Sequence, residues 1–455
     1  MKIPLLPLEE RKTTFKEVEL GFTQEQALAE ANRCIQCQKP ACVEGCPAQV
    51  NIPAFIKAFR EGNADEAANI IRQRNFFPSI CGRICQHEKQ CEGNCVLGKT
   101  QEKNPVAIGT LERFVGDNAS FPTPLKHLNG KKAAVIGSGP SGLSVAAHLA
   151  LSGINVTVFE GTNSFGGVIK YGVPDFRLPK DTISRELTGL HDLSIDFEPN
   201  SKVGEESLEA LSQKFDAIFV GTGVGKSRSL TVPGSDLKGI ISAMKLLINL
   251  NQSGLPMITQ GEKVVVVGAG YVGIDASRSA IRLGADVTCV TIANREDALK
   301  SVAEKDYLEA EEEGVKFLFG FKVQKFEGTE RVEKVFYANG KEGVILADKV
   351  IYAVGQEHDA DSLKTPLRTT NDGCIHVNEI YQTSIKNVFA AGDCVHGPKT
   401  VIHAINTGRE AAKSMIAYLS IPEDQRKVSA DEKEKIKQIG KHLGESFENQ
   451  TNSDI

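Results

Sequence analysis

Eight of the chain's eleven cysteines fall between positions 34 and 95, in two runs of four: Cys34, Cys37, Cys42 and Cys46, then Cys81, Cys85, Cys91 and Cys95. The first run is C-x2-C-x4-C-x3-C followed by Pro47, and the second is C-x3-C-x5-C-x3-C. Soft thiolates at ligand spacing select zinc or iron–sulfur clusters. Structural zinc sites come as paired C-x2-C knuckles or with histidines at fixed spacing. Here the second run has no C-x2-C, and His87 is the one histidine close by. A four-cysteine run closing on Cys-Pro is an iron–sulfur pattern instead, so two [4Fe–4S] clusters are expected. Any one of these thiols alone reads as a buried, inert side chain; eight at ligand spacing do not. Cys289, Cys374 and Cys394 are scattered, without a partner close in sequence, and read as ordinary thiols.

Two glycine fingerprints follow. Gly137-Ser138-Gly139-Pro140-Ser141-Gly142 comes after the apolar run Ala133–Ile136 and opens an Ala-rich stretch through Leu151. In this strand–turn–helix context the first glycine permits the tight turn, the second admits a pyrophosphate and the third lets helix pack on strand. The helix N-terminus adds positive partial charge. Glu160, 23 residues after Gly137, ends the next strand where an acid can hold a ribose hydroxyl. Gly166 and Gly167 are assigned to the same dinucleotide site. The unit recurs as Gly268-Ala269-Gly270-Tyr271-Val272-Gly273 after the run Val264–Val267, but the position 23 residues on is Thr291. Losing that carboxylate removes a repulsion against a 2′-phosphate. Arg278 or Arg295 is placed to pair with one, which favours NADP over NAD. Further on, Phe389-Ala390-Ala391-Gly392-Asp393 reads as a strand ending in a carboxylate, followed by a helix from about Thr400 to Ala412 whose N-terminus suits charge on a reduced flavin. Asp393 alone reads equally well as a turn residue.

At 455 residues the chain has room for about three domains. The expected fold class is α/β: two Rossmann-like (FAD and NAD(P)) domains with parallel sheets, preceded by an α-helical iron–sulfur domain. The boundaries are read as 1–125 for the helical part, 126–245 and 361–420 for a split FAD domain, 246–360 for an NAD(P) domain inserted between the halves, and 421–455 for a polar tail. Within the helical part, Thr23 and Gln26 form a capping-box pattern, and a helix is expected from Ile52 to Ile71, with Pro53 in its first turn. Ser120-Phe121-Pro122-Thr123-Pro124 reads as a linker. A formal charge of −5 gives no reason to expect nucleic acid or an anionic membrane as partner. No apolar run reaches the roughly 18 residues of a membrane span. The start of the chain lacks a signal-peptide core, so a cytoplasmic protein is expected, where clustered cysteines bind metal more often than they form disulfides.

Several segments together resemble the small (β) subunit of bacterial glutamate synthase, the N-terminal half of dihydropyrimidine dehydrogenase and the flavin subunit of NADH-dependent ferredoxin:NADP oxidoreductase. They are Arg33-Cys34-Ile35-Gln36-Cys37, Cys81-Gly82-Arg83-Ile84-Cys85, Ile108-Gly109-Thr110-Leu111-Glu112-Arg113-Phe114, the stretch Tyr171 to Lys180, and Gly392-Asp393. The likeness covers residues 8 to about 420. It implies FAD at the first fingerprint, completed by Gly392-Asp393, and a nicotinamide at the second. It also implies interleaved clusters: Cys34, Cys37, Cys42 and Cys95 on one, and Cys46, Cys85, Cys91 and the carboxylate of Glu112 on the other, leaving Cys81 free. From spacing alone, each run holding its own cluster is equally open, and Glu112 reads as well as a solvated helix-face acid. Relatives carry Tyr-Arg-Arg after the second strand of the nicotinamide domain. This chain has Thr291-Ile292-Ala293-Asn294 there, which brings NADH into play.

The expected function is an NAD(P)H-dependent FAD/iron–sulfur oxidoreductase passing electrons to a partner subunit or ferredoxin. Since the cofactors carry the chemistry, no catalytic side chain is required; Tyr171, Pro174 and Arg177 read as neighbours of the flavin ring and at least as well as turn and packing residues. Competing readings are a stand-alone reductase of polysulfide or a quinone, a ferredoxin:NADP oxidoreductase subunit, and a docking scaffold without turnover.

Overall fold

The computed structural model describes residues 3–101, 103–121, 129–191, 193, 195–203, 208–254, 256–358 and 367–420. The expected linker from Pro122 on and the polar tail lie outside them.

Short helices build the N-terminal part. Thr23 and Gln26 close the capping box of the helix Gln24–Asn32, and Asn51 caps Ile52–Arg60 with Pro53 in its first turn. The single helix expected over 52–71 is in fact two. Gly62 turns the chain at φ +84°, and Asn63 caps a second helix, Ala64–Arg72, by accepting from Glu66 N–H at 3.0 Å. A residue in the left-handed region ends a helix, and glycine enters that region without steric cost. Two further helices, Pro78–Ile84 and Ile108–Asn118, lie against each other so closely that a Cβ at Gly82 would stand 2.4 Å from Arg113 N, and one at Gly116 would stand 2.6 Å from Ser79 N.

Two parallel five-stranded sheets follow, each built on one fingerprint. The first runs Val388–Ala390, Ala217–Val220, Lys132–Ile136, Asn155–Phe159, Ile195–Glu198. The second runs Ile240–Ser242, Lys349–Tyr352, Lys263–Val267, Asp286–Thr291, Lys316–Phe319. The central strands are buried along nearly their whole length, the mark of a parallel sheet covered on both faces. The chain leaves the first sheet at Val220 and returns at Val388, so the second sheet is an insertion. An antiparallel three-stranded sheet, Lys322–Glu327, Lys334–Ala338 and Glu342–Leu346, covers one side of it. The pair Lys226–Ser227 and Gln356–Glu357 joins the outgoing and returning segments.

The last helix runs from Val401 to Ser420, well past the Ala412 expected, because its apolar stripe continues through Met415 and Tyr418. Gly408 packs on the backbone of Ser141, where a Cβ would come within 2.4 Å of the carbonyl oxygen. One hydrophobic core runs unbroken from the helical part into the first sheet, with Phe76 edge-on to His148 at 6.0 Å. The second sheet has cores of its own.

Candidate functional site

The three glycines of the first fingerprint have three different surroundings. Gly137 has φ +96°, and a Cβ there would meet Gly221 O at 2.5 Å; one at Gly142 would meet Gly137 O at 2.0 Å. A Cβ at Gly139 would meet nothing within 4 Å, because it points into a cleft of about 1620 Å³, part of it open to solvent. The second fingerprint repeats the pattern: Gly268 has φ +106°, Gly270 is open, and a Cβ at Gly273 would lie 1.9 Å from Gly268 O. Each cradle thus has a turn, a close helix–strand contact and an unfilled face where a pyrophosphate fits. Tyr271 and Val272 begin the second helix, and the Tyr271 hydroxyl accepts from Ala303 N–H at 3.1 Å.

Pro140, Ser141, Glu160, Gly167, Asp393 and Thr400 line the first cleft with Gly137 and Gly139. Glu160 accepts from Ser138 N–H and Oγ at 3.1 and 2.5 Å, and from Thr162 N–H and Oγ1, both at 2.9 Å. It ties the fingerprint loop to the loop after the second strand. Gly166 N–H donates to Ser138 O, and Gly392 closes against Ser141. Burial raises the Asp393 carboxyl to about 6, opposed by the Lys399 N–H at 3.2 Å and the Lys399 charge. Sequence reasoning missed Lys202, Thr222 and His358, which line the cleft from loops without a motif, and Met244, which lines it from the start of the helix Ala243–Gln252. Tyr171 also lines it, its hydroxyl bonded to Thr162 and Ser164. Arg177 does not reach it: its guanidinium lies 2.9 Å from Asp275 and 5.6 Å above the Tyr271 ring.

The expectation that Arg278 faces a nucleotide phosphate is corrected. Arg278 is 1% exposed and bonds Glu313 at 2.6 and 2.8 Å and Glu309 at 3.1 Å, within the helix packing behind the sheet. Arg295 follows the Asn294 cap after the second strand, half-exposed and paired with Glu311 at 2.7 Å. Thr291 is buried where an acid would meet the ribose.

The eight clustered thiols sort into two sets that cut across the two sequence runs. Cys34, Cys37, Cys42 and Cys95 surround one hollow of about 390 Å³ with an almost wholly apolar wall, including Ile52, Ile56 and Leu97. Gln36, at φ +52°, bends the chain between the first two. Burial, then the neighbouring thiols Cys95 and Cys34, push Cys42 up to about 12. Cys46, Cys85 and Cys91 form the other set with Glu112 and Cys81. Burial raises Cys46 to about 11, reinforced by the charges of Glu112 and Cys81. Cys85 is raised by its hydrogen bond with Cys81 and by burial, and Cys91 by burial and then the charges of Glu92, Glu112 and Cys46. Glu112 is no solvated helix-face acid. It is 8% exposed, burial lifts it to about 8, and Asn75 donates to it at 2.7 Å. Buried thiols crowded together resist ionisation unless a cation compensates them, and soft donors in this number suit iron–sulfur. Among the described residues, no three His, Cys, Asp or Glu side chains close on a point as the ligands of one bare ion do.

Of the three scattered cysteines, Cys374 comes within electrostatic reach of Cys394, brought there by the Ile375 N–H to Cys394 O bond, so these two do have a neighbour in space. Both are free thiols. Among the described residues no helix is long and apolar enough to cross a membrane.

Two nucleotide cradles on parallel sheets, joined to a helical thiol module, define a two-nucleotide reductase with an iron–sulfur domain. Residues 131–408 match the pyridine nucleotide-disulphide oxidoreductase family, and residues 11–122 match dihydropyrimidine dehydrogenase domain II, 4Fe-4S cluster. The chain is 35% identical over 452 residues to the glutamate synthase (NADPH) small chain of Azospirillum brasilense, covering 90% of this chain and 93% of that one. It is 33% identical over 413 residues to the NAD-dependent dihydropyrimidine dehydrogenase subunit PreT of Escherichia coli K12, covering 89% and 97%. Among solved structures, the oxidoreductase FprA of Mycobacterium tuberculosis has the same nucleotide-binding fold, with a TM-score of 0.55 at 18% identity over 68% of this chain and 89% of that one. The chain belongs to the glutamate synthase small-chain family. It is an oxidoreductase with iron–sulfur, flavin and nicotinamide cofactors.

Proposed function

We propose that this chain draws electrons from NAD(P)H and delivers them, through two [4Fe–4S] clusters, to an electron-accepting protein subunit or ferredoxin. Residues 1–125 would form the iron–sulfur domain, 126–245 with 361–420 the FAD domain, and 246–360 the NAD(P) domain. FAD would lie in the cleft lined by Gly139, Glu160 and Asp393, and the nicotinamide nucleotide on the Gly268–Gly273 cradle. Cys34, Cys37, Cys42 and Cys95 would hold one cluster, and Cys46, Cys85, Cys91 and Glu112 the other. A bound flavin accepts a hydride and releases single electrons, which is the conversion this arrangement of modules calls for.

The observation that carries the reading is the contact between the modules. Gln90, next to Cys91 in the chain, reaches Thr400 at the rim of the flavin cleft with Nε2 3.5 Å from Oγ1. The contact supports a second cluster on the side of the flavin cleft, with the first set around its own apolar hollow. Relatives named as small chains and subunits support a protein acceptor. The nucleotide's 2′-position would meet Thr291 and the Glu311-paired Arg295, so both NADPH and NADH are substrates to be compared.

The test is anaerobic purification followed by titration with NADH and with NADPH under absorbance and EPR. Flavin bleaching and reduced-cluster signals, with iron and sulfide for two clusters, are expected. Zinc in place of iron, or flavin reduction without any cluster signal, defeats the proposal. Turnover with a small acceptor but none with a protein acceptor would make the chain a stand-alone reductase.

A further inference from the structure

The second thiol set has one donor too many. Cys46, Cys85 and Cys91 lie within electrostatic reach of Glu112, and Cys81 is hydrogen-bonded to Cys85. A four-iron cluster takes four protein ligands, so Glu112 and Cys81 compete for one place.

Asn75 stands between the two. Its side chain is wholly buried at the start of the turn leading into the helix Pro78–Ile84. The amide orientation is fixed by a backbone donor: Phe77 N–H points at Oδ1 from 3.1 Å. Nδ2, which can only donate, therefore faces Glu112 and bonds its Oε1 at 2.7 Å. The Cys81 sulfur lies 3.6 Å from the same Oδ1, at which its S–H is directed. One amide thus engages both competitors, with opposite ends. Its donor end orients the Glu112 carboxylate, and its acceptor end occupies the Cys81 thiol. Outer partners of this kind decide which first ligands face a metal.

We infer that Asn75 is the positioning residue that makes Glu112, rather than Cys81, the fourth ligand of the second cluster. The inference rests on the iron–sulfur reading above. With Asn75 truncated, the carboxylate loses the Asn75 donor and the thiol loses its acceptor, and Cys81, already beside Cys85, takes the place of Glu112.

The experiment compares wild type, Asn75→Ala, Cys81→Ser and Asn75→Ala/Cys81→Ser, each purified without air, by iron and sulfide content and by EPR of the dithionite-reduced protein. Iron for two clusters in wild type is measured first; a lower content overturns the two-cluster reading and this inference with it. Given two clusters, Cys81→Ser is expected to keep both with the wild-type signal. Asn75→Ala is expected to keep both with an altered signal from the second, and the double variant to lose that cluster's iron. An unaltered signal in Asn75→Ala overturns the inference alone, as does a second cluster surviving in the double variant. If Asn75→Ala fails to fold, Asn75→Asp serves instead, since it keeps the acceptor for Phe77 N–H and replaces the donor to Glu112 by an oxygen that repels the carboxylate. The same altered signal is expected from it, and a wild-type signal overturns the inference.

Discussion

At the scale of single residues, the glycines separate folding from binding. Gly139 and Gly142 belong to one fingerprint, but a methyl group on the first would enter an open cleft and a methyl on the second would stand 2.0 Å from a backbone carbonyl. Gly142→Ala is therefore expected to destabilise the apoprotein by about 1–3 kcal/mol through overpacking. Gly139→Ala is expected to leave apoprotein stability unchanged while the purified protein holds less flavin. Thermal melting of flavin-stripped protein and the flavin-to-protein absorbance ratio measure the two effects. A Gly139 variant with full flavin content, or a Gly142 variant as stable as wild type, contradicts the reading of that position. Both roles were legible in the sequence, because turn, cradle and helix start are consecutive residues. Arg278 shows the limit. Counting basic residues near a fingerprint nominated it for a phosphate, yet its partners Glu309 and Glu313 lie on another helix, and only the packing of that helix shows the arginine to be taken.

At the scale of elements, whatever depends on neighbours in sequence could be read in advance, and whatever depends on packing could not. The strands around both fingerprints were legible within a residue or so, since apolar runs bounded by glycine define them. The sorting of thiols was not legible in their spacing, and only the family resemblance implied it. Cys95 joins Cys34, and Glu112 joins Cys46, because the helices Pro78–Ile84 and Ile108–Asn118 meet at Gly82 and Gly116, a fit invisible in cysteine spacing. Asn75 went unnoticed for the same reason. The contact between the helical part and the unit of the first sheet yields a prediction at this scale. Glu186, on the helix Lys180–His191, accepts from Ser79 N–H at 2.9 Å at the start of Pro78–Ile84 and is 1% exposed. Burial raises its carboxyl from 4.5 to about 7, against the pull of the Ser79 bonds and the Arg72 charge. A raised acid favours the folded state fully below its unfolded value, and that contribution is lost as pH climbs through the folded one. The window here runs from 4.5 to about 7, with a magnitude of about 3 kcal/mol at most. Glu186→Gln is expected to gain melting temperature relative to wild type as pH rises from 5 to 8. Curves that stay parallel over that range reject the assignment.

At the scale of the whole molecule, the question is what holds the inserted nucleotide module in place against the other two. The N-terminal segment touches all three: Val18 N–H bonds Phe176 O, Glu17 pairs with Arg83 at 2.7 Å, Glu19 pairs with Lys305, and Arg282 donates to Thr14 O at 2.9 Å. From the cysteine loop, Lys89 reaches the carbonyl of Leu299. A further link is Arg177. It leaves the unit of the first sheet to meet Asp275 at 2.9 and 3.1 Å and Asp306 at 3.5 Å, where Asp275 is only 5% exposed. Pairing with these two acids raises the guanidinium against the cost of its burial. Removing one partner of such a pair leaves the other charge buried and uncompensated, at a cost of about 3–5 kcal/mol. That cost falls on the seam between modules, because Arg177 and Asp275 belong to different ones. Arg177→Met is therefore expected to loosen the seam while leaving each module folded. Amide exchange should quicken around Tyr271–Arg282 and Glu304–Glu313, flavin and iron contents should stay at wild-type levels, and reduction of the flavin by NAD(P)H should slow while nucleotide affinity changes little. A domain held mainly by the N-terminal segment would instead show wild-type exchange and wild-type reduction in this variant. The seam would then have to be sought at Glu19 and Lys305.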